Sequence, residues 1–302
     1  MHLTILAAFL EFSRTAVSMS GAATLFFLIA LLAAKTDIAR ASGLDKIVVL
    51  SNLCFALPLA VFGAEHLSAA KFIMQGVPSF VPWHLFWAYF VGFALLAAAL
   101  SIATNIQVRW SGLLFGIMMF LFVAMMDIPG ALANPKDRFG WTLLLRELAF
   151  GGGGWILAGN SIREQDGHGG NWFVTVGRVS IGIAAVFYGV ETFVHPQGMP
   201  GVPLEKLMSE WIPGRPLIGY LTAAILVVAG ALILLNMKTR IAASYLGTWI
   251  VLLVLFVYGP ILIASLSNPS AGIQVEGLNY FFDTLLFGGA ILALARAMPR
   301  RD

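Results

Sequence analysis

The sequence predicts an all-α fold, a polytopic membrane helix bundle with about nine transmembrane helices. Three observations predict it: few charged residues, a succession of apolar stretches of helical length, and an internal duplication. Of the 302 residues, 59% are hydrophobic and 11% are charged, whereas a soluble domain carries about 25% charged residues. Mean hydropathy is +0.88. This composition excludes a soluble enzyme, a disordered chain and a nucleic-acid-binding domain. The expected surroundings are a lipid bilayer, with no nucleic-acid partner.

A spanning helix needs about 20 mostly apolar residues. The chain contains nine such stretches, separated by charged residues, Pro, Gly and Asn. They are residues 15–34, 47–66, 83–104, 109–128, 141–159, 174–194, 216–235, 241–264 and 277–296. Residues 1–14 are predicted to be either interfacial or part of the first span.

The loops between these spans differ in charge. One alternate set of loops carries more Lys and Arg than the other, and the positive-inside rule places that set in the cytoplasm. With nine spans, the N-terminus is then outside and the C-terminus is cytoplasmic. Cys54 is the single cysteine, which excludes an internal disulfide and a cluster held by several thiolates.

An internal duplication organises most of the chain. Asn105 and Asn236, Arg109 and Arg240, and Pro129 and Pro260 match at a constant offset of 131 residues. Further matches in the same order are Gly63-Ala64-Glu65 with Gly189-Val190-Glu191, Tyr89 with Tyr220, and Phe150-Gly151-Gly152 with Phe287-Gly288-Gly289.

Each repeat therefore holds four helices. Because four is even, both repeats insert in the same orientation, as parallel repeats. The predicted domains are an N-terminal transmembrane helix (residues 1–44), repeat 1 (45–160) and repeat 2 (171–298). A Pro-rich loop follows the first helix of each repeat, and both loops are predicted to fold back over the bundle.

The second repeat carries a recognisable pattern. Gly177-Arg178 opens a helix that closes on Phe187-Tyr188-Gly189-Val190-Glu191, and Gly219-Tyr220, Arg240 and Phe287-Gly288-Gly289 follow in order. This pattern resembles the DoxX family of small four-helix bacterial membrane proteins. The resemblance covers about residues 45–296 as two tandem copies.

The family is associated with membrane redox systems, including quinone-linked sulfur oxidation. The resemblance therefore implies a multi-pass protein of the bacterial plasma (inner) membrane. It further implies an accessory subunit that binds quinone or another lipid-soluble ligand. No intrinsic cofactor is expected, and a cofactor-bearing redox protein would be the partner, because the chain alone is not expected to be an enzyme.

Ionisable residues within predicted spans are the first candidate site, because each costs about 2.5–3.5 kcal/mol at a helix centre. Arg146, Glu147, Arg178 and Asp283 form a set of two cations and two anions, and the duplication places Asp283 opposite Arg146. One interpretation is a buried ion-pair network that fixes how the repeats dock. The other is a proton or ligand site in a central cavity.

A second set is Glu65, His66, Glu191 and His195, at the outer ends of equivalent helices. Repeat symmetry predicts that they share one face, where they would bind a polar ligand or pass protons. The alternative is that they are solvated at helix ends. No ligand spacing such as HExxH is present, so no metal site is predicted.

The run Gly151-Gly152-Gly153-Gly154 lacks the strand and the Lys-Ser/Thr of a phosphate loop. It is predicted to let helices approach closely. Two other functions stay open beside the redox hypothesis: a small-solute or proton-coupled transporter, and a structural or assembly subunit without a ligand.

Overall fold

The computed structural model describes residues 13–202 and 206–299. The expectation for residues 1–12 lies outside the described residues. Within them the chain forms helices and no strand, apart from one isolated bridge between Gly198 and Leu207. The predicted all-α bundle is confirmed.

The helices in chain order are α1 (Arg14–Arg40), α2 (Asp45–Val48), α3 (Ser51–Ser68), α4 (Ala70–Ile73), α5 (His84–Thr104), α6 (Val108–Phe122), α7 (Ile128–Ala133), α8 (Arg138–Asp166), α9 (Asn171–Val194), α10 (Arg215–Leu234), α11 (Thr239–Leu253), α12 (Gly259–Leu266) and α13 (Ala271–Ala297). A 3-10 turn, Met74–Gly76, follows α4.

In the described part of the chain, eight helical segments are long and apolar enough to cross a membrane. They match eight of the nine predicted spans. The remaining predicted span, 141–159, lies in α8, whose glycines and charged residues lower its hydropathy. Helix α8 packs against α6, α9 and α13. Since it faces protein on several sides, it needs less apolar surface than a lipid-facing helix.

The packing of the helices repeats between the two halves of the chain. Helix α3 packs on α5 and α6 on α8, while α9 packs on α10 and α11 on α13. The fourth helix of each predicted repeat also packs on the first helix of the other: α8 on α9, and α13 on α3. Helices α8 and α13 contact each other at the centre. This is the pairing expected of two halves related by a pseudo-twofold axis.

Backbone irregularities also occur in pairs. A π-helical turn, Val123–Asp127, joins α6 to α7, and a second, Val254–Tyr258, joins α11 to α12. Asn105, which follows α5, and Asn236, which follows α10, both adopt positive φ. The aligned pairs are thus alike in backbone conformation as well as in residue type.

Glycines hold the central helices close together, as the sequence predicts. A Cβ on Gly152 of α8 would lie 3.0 Å from the Cα of Gly177 on α9. A Cβ on Gly289 of α13 would lie 2.8 Å from backbone atoms of Cys54 and Phe55 on α3. A side chain at either position would crowd the neighbouring backbone, so glycine lets these backbones pack directly.

Candidate functional site

The charged residues of α8 and α13 meet inside the bundle. Arg146 Nη1 lies 2.7 Å from Asp283 Oδ2, and Arg146 Nη2 lies 2.9 Å from Glu147 Oε1. The side chains of Arg146 and Asp283 are 19% and 8% exposed. Each ion pair is also a charge-assisted hydrogen bond, the strong kind. Three of the four predicted network residues are thus together.

Arg178 is not part of this cluster. Its Nη1 donates to the carbonyl oxygens of Ile233 and Leu234. Those carbonyls belong to the last turn of α10, where a helix supplies few of its own donors. Arg178 lies in the first half of α9, and its side chain reaches the C-terminal end of α10 instead of the Arg146 cluster. Its predicted place in the ion-pair network is therefore wrong, because the sequence does not show that a helix C-terminus ends beside it.

Two further carboxyl groups surround the Arg146 cluster. Glu65 and Asp127 both lie within electrostatic reach of the Arg146 guanidinium. Asn279 Nδ2 donates to Glu65 Oε1 at 3.0 Å. The sequence predicts two cations and two anions, whereas the structure has one guanidinium near four carboxyl groups. The carboxyl groups are those of Glu65, Asp127, Glu147 and Asp283. Such a group can hold exchangeable protons, since full ionisation would leave excess negative charge in a low dielectric.

Sequence reasoning missed Asp127 and Asn279 as members of this cluster. Asp127 Oδ2, Asn279 Oδ1 and Arg146 Nε make no hydrogen bond within the described part of the chain. A signal for Asp127 was present, because a carboxylate at the end of a predicted span is costly. Asn279 gave no such signal, because an uncharged amide does not stand out in an apolar helix.

The second predicted set occupies one end of the bundle, where α3 and α9 finish. Its members nevertheless have different partners. Glu65 accepts from Asn279 on α13, whereas Glu191 Oε2 lies 2.8 Å from Arg138 Nε on α8. His66 Nδ1 lies 2.8 Å from the Phe62 carbonyl oxygen, and His195 directly follows the last residue of α9. The structure therefore does not bring the four side chains together.

Their separation follows from the pairing of the two halves. With that pairing, α3 and α9 belong to different halves and each packs on the fourth helix of the other half, so equivalent residues on them remain apart. Only residues beside the axis, on α8 and α13, can meet their counterparts. In the described residues no group of three or more His, Cys, Asp or Glu side chains is placed to hold a metal ion.

A large apolar cavity lies between α5 and α6, helices that pack only sparsely on each other. It is open to the outside of the bundle, where the lining side chains of Phe90, Leu114 and Leu121 are exposed. Its volume is about 880 Å³, within the range of small-molecule sites. One end is formed by His66 and the segment around Gly76–Pro78, and the other by Ser101, Gln107 and Ser111. From Trp87 to Ser101 the α5 wall extends about 21 Å, at 1.5 Å per residue. The cavity therefore suits an elongated apolar molecule.

The polar groups at the two ends of this cavity differ in kind. Ser101 Oγ lies 2.8 Å from Ser111 Oγ, and both hydroxyls also contact backbone carbonyls. The serines thus mostly satisfy each other. Among the described residues that line the cavity, His66 has the single ionisable side chain. It supplies the polar group best suited to orient a ligand.

The loop between α9 and α10 folds back into the bundle, as the sequence predicts. Met199, Val202 and Met208 are almost fully buried. Tyr258 in the second π turn donates from its hydroxyl to the Pro200 carbonyl oxygen at 2.6 Å. The described part of this loop therefore closes one end of the second half of the bundle.

The fold and these sites define a helical bundle compatible with a multi-pass membrane protein. Comparisons of the chain with protein-family models, with curated proteins and with solved structures find no match. The DoxX resemblance remains a prediction from the sequence.

Proposed function

We propose that this protein is an integral membrane protein that binds quinone or another lipid-soluble ligand in the α5–α6 cavity. We further propose that it acts as an accessory subunit of a membrane redox system, with a separate protein carrying the redox cofactor. The supporting observation is that two differences between the aligned halves coincide at this cavity.

The first difference concerns space. Met118 lines the cavity on α6, and the residue aligned with it at the 131-residue offset is Trp249 on α11. Trp249 Nε1 donates to Thr222 Oγ1 on α10 at 3.1 Å, so the indole bridges the two helices. Val91 is aligned with Thr222. The first half therefore lacks both the bulky ring and its hydrogen-bond partner, and this leaves room for a ligand.

The second difference concerns chemistry. His66 at one end of the cavity is aligned with Thr192, which is buried and donates to the Tyr188 carbonyl oxygen at 2.7 Å. A histidine offers a second polar atom that a threonine bonded in this way does not. A widened space and a new polar group at the same place favour a binding site over loose packing.

Purification in mild detergent, followed by extraction and mass spectrometry of bound lipids, tests the proposal. Wild-type protein should carry a lipid-soluble ligand in stoichiometric amount. The double variant Met118→Trp/Val91→Thr, which copies the arrangement in the second half, should lose it. Val228→Trp is the matched control, because Val228 is 61% exposed on α10 and lies away from the cavity.

Retention of the ligand by the cavity-filling variant would refute the site. A wild-type protein without any such ligand would refute the proposed function. The partner is tested in the same preparation, since the proposal expects a cofactor-bearing protein to co-purify from the native membrane.

Proton-coupled transport is the second candidate, favoured by the excess of carboxyl groups around Arg146. Proteoliposomes containing a pH-sensitive dye would detect proton movement driven by a solute gradient. Asp283→Asn should abolish that movement if the cluster carries the proton.

We also propose the bacterial inner membrane as the location, with the N-terminus outside and the C-terminus cytoplasmic. Single cysteines introduced into a Cys54→Ser background would test this orientation. In intact cells, Ser209→Cys between α9 and α10 should react with an impermeant thiol reagent, and Ser42→Cys between α1 and α2 should not.

A further inference from the structure

His66 is held in a fixed position at the end of the cavity. It lies in the last turn of α3, where that helix crosses α5 closely: a Cβ on Gly92 would lie 2.9 Å from the His66 Cβ. The close crossing leaves little room for the ring to swing toward α5. The contact between Nδ1 and the Phe62 carbonyl oxygen, at 2.8 Å, fixes its orientation.

This contact assigns the hydrogen on the ring. A carbonyl oxygen can only accept, so Nδ1 must carry the hydrogen and donate it. In a neutral imidazole the other nitrogen, Nε2, then has only a lone pair. His66 makes no ion pair within the described part of the chain, and the neighbouring Glu65 bonds to Asn279 instead. Nothing there compensates a positive charge on the ring, so the apolar lining of the cavity favours the neutral form.

We propose that the cavity selects a ligand whose head group carries a hydroxyl hydrogen and donates it to His66 Nε2. This inference rests on the proposed function and specifies the form of the ligand. A quinol has two hydroxyl donors, whereas the corresponding quinone has carbonyl oxygens that only accept. The site therefore binds the reduced form more tightly than the oxidised form. The head group lies beside His66, and the apolar tail extends toward Ser101.

The second half of the chain provides a matched variant. Thr192 donates to the carbonyl four residues before it, as His66 does. His66→Thr should therefore keep this internal bond while removing Nε2. His66→Gln is a second variant, since its amide offers both a donor and an acceptor and is close to histidine in size.

The test titrates purified protein in nanodiscs, under anaerobic conditions, with a short-chain quinol, the matching quinone and a long-chain alcohol. Wild-type protein should bind the quinol about tenfold more tightly than the quinone, which is the effect of one hydrogen bond made or lost. His66→Thr should bind both with the weaker affinity. His66→Gln should narrow the difference, because its amide can donate to the quinone.

The outcomes separate this inference from the proposed function. Equal binding of quinol and quinone by wild-type protein, or tighter binding of the quinone, overturns the inference and leaves the cavity as a ligand site. Absence of binding by all three compounds overturns both. If the alcohol binds as tightly as the quinol, selection of a hydroxyl donor is supported, and a hydroxylated lipid replaces the quinol as the ligand.

Discussion

Arg146 and Asp283 stand at equivalent positions of the two aligned halves, and they contact each other at 2.7 Å. Two equivalent residues of a duplicated chain can meet only beside the axis that relates the halves. The contact between α8 and α13 places both residues there. The first half contributes the cation and the second half the anion. The ion pair between the halves therefore exists because the two halves carry different residues at this aligned position.

Removing one member of this pair should destabilise the protein strongly. Arg146→Ala leaves Asp283 charged, buried and unpaired, and should lower the free energy of unfolding by about 3–5 kcal/mol. The triple variant Arg146→Met/Glu147→Gln/Asp283→Leu should recover most of this loss, because it removes the guanidinium together with both carboxylates that contact it. Denaturant unfolding in detergent measures the differences.

Arg109→Ala is the control for that comparison. Its pair with Asp166 is exposed, with side chains 39% and 48% accessible, and such a pair contributes less than about 1 kcal/mol. Equal losses for Arg146→Ala and Arg109→Ala would contradict the role assigned to the Arg146–Asp283 pair.

Because α13 and α3 approach closely, adding one methyl group at Gly289 should lower the free energy of unfolding. In Gly289→Ala the new Cβ would meet backbone atoms of Cys54 and Phe55 at 2.8 Å, and backbone cannot move aside cheaply. We expect a loss of about 1–3 kcal/mol from overpacking. Gly21→Ala on α1 is the matched control, since no atom lies within 4 Å of its new Cβ. Gly21→Ala should be neutral or slightly stabilising. Thermal unfolding of the two variants in one detergent measures the difference, and equal unfolding temperatures would contradict the prediction.

Exchanging the aligned residues Met118 and Trp249 should change stability by different amounts. Trp249→Met removes an indole that bridges α11 and α10 and leaves Thr222 without that partner. It should cost about 2–4 kcal/mol. Met118→Trp fills space that is already present in the first half and should cost less than about 1 kcal/mol. Unfolding midpoints of the two single variants test the prediction, and a larger loss for Met118→Trp would contradict it.

The buried hydroxyl of Tyr258 should stabilise the loop after α9 through its hydrogen bond to Pro200. Tyr258→Phe removes the hydrogen bond to the Pro200 carbonyl oxygen and leaves that buried oxygen unsatisfied, at a cost of about 1–3 kcal/mol. Hydrogen exchange at residues 198–202 should become faster. Tyr220→Phe, at a side chain 48% exposed, should leave the exchange rates unchanged.

The helices were predictable because lipid imposes a simple requirement: each lipid-facing span needs a long apolar run. The same requirement explains why α8 is the exception. It is surrounded by α6, α9 and α13, and can therefore carry Arg146 and Glu147. The two π turns were not predictable, because a single wide turn leaves the apolar pattern of a spanning helix unchanged.

The candidate sites were predictable only in part. Charges in apolar runs pointed to Arg146, Glu147 and Asp283, but their neighbours depend on which helices cross. The cavity gave no signal in the repeat 1 sequence taken alone, since a methionine in an apolar helix is ordinary. Aligning Met118 with Trp249 and His66 with Thr192 supplies the signal. The larger side chain of Trp249 in the second half shows that the first half has space at the equivalent position.

The paired π turns indicate the order in which features of the two halves arose. A π turn adds one residue to a helix, and both occurrences fall at the same place in the aligned halves. If one half was copied from the other, this insertion was already in the ancestral gene and was inherited twice. The differences between Met118 and Trp249 and between His66 and Thr192 date from after that copying event, because one ancestral residue stood at each place. On that chronology the bundle came first, and the space between α5 and α6 was either opened in one half or filled in the other.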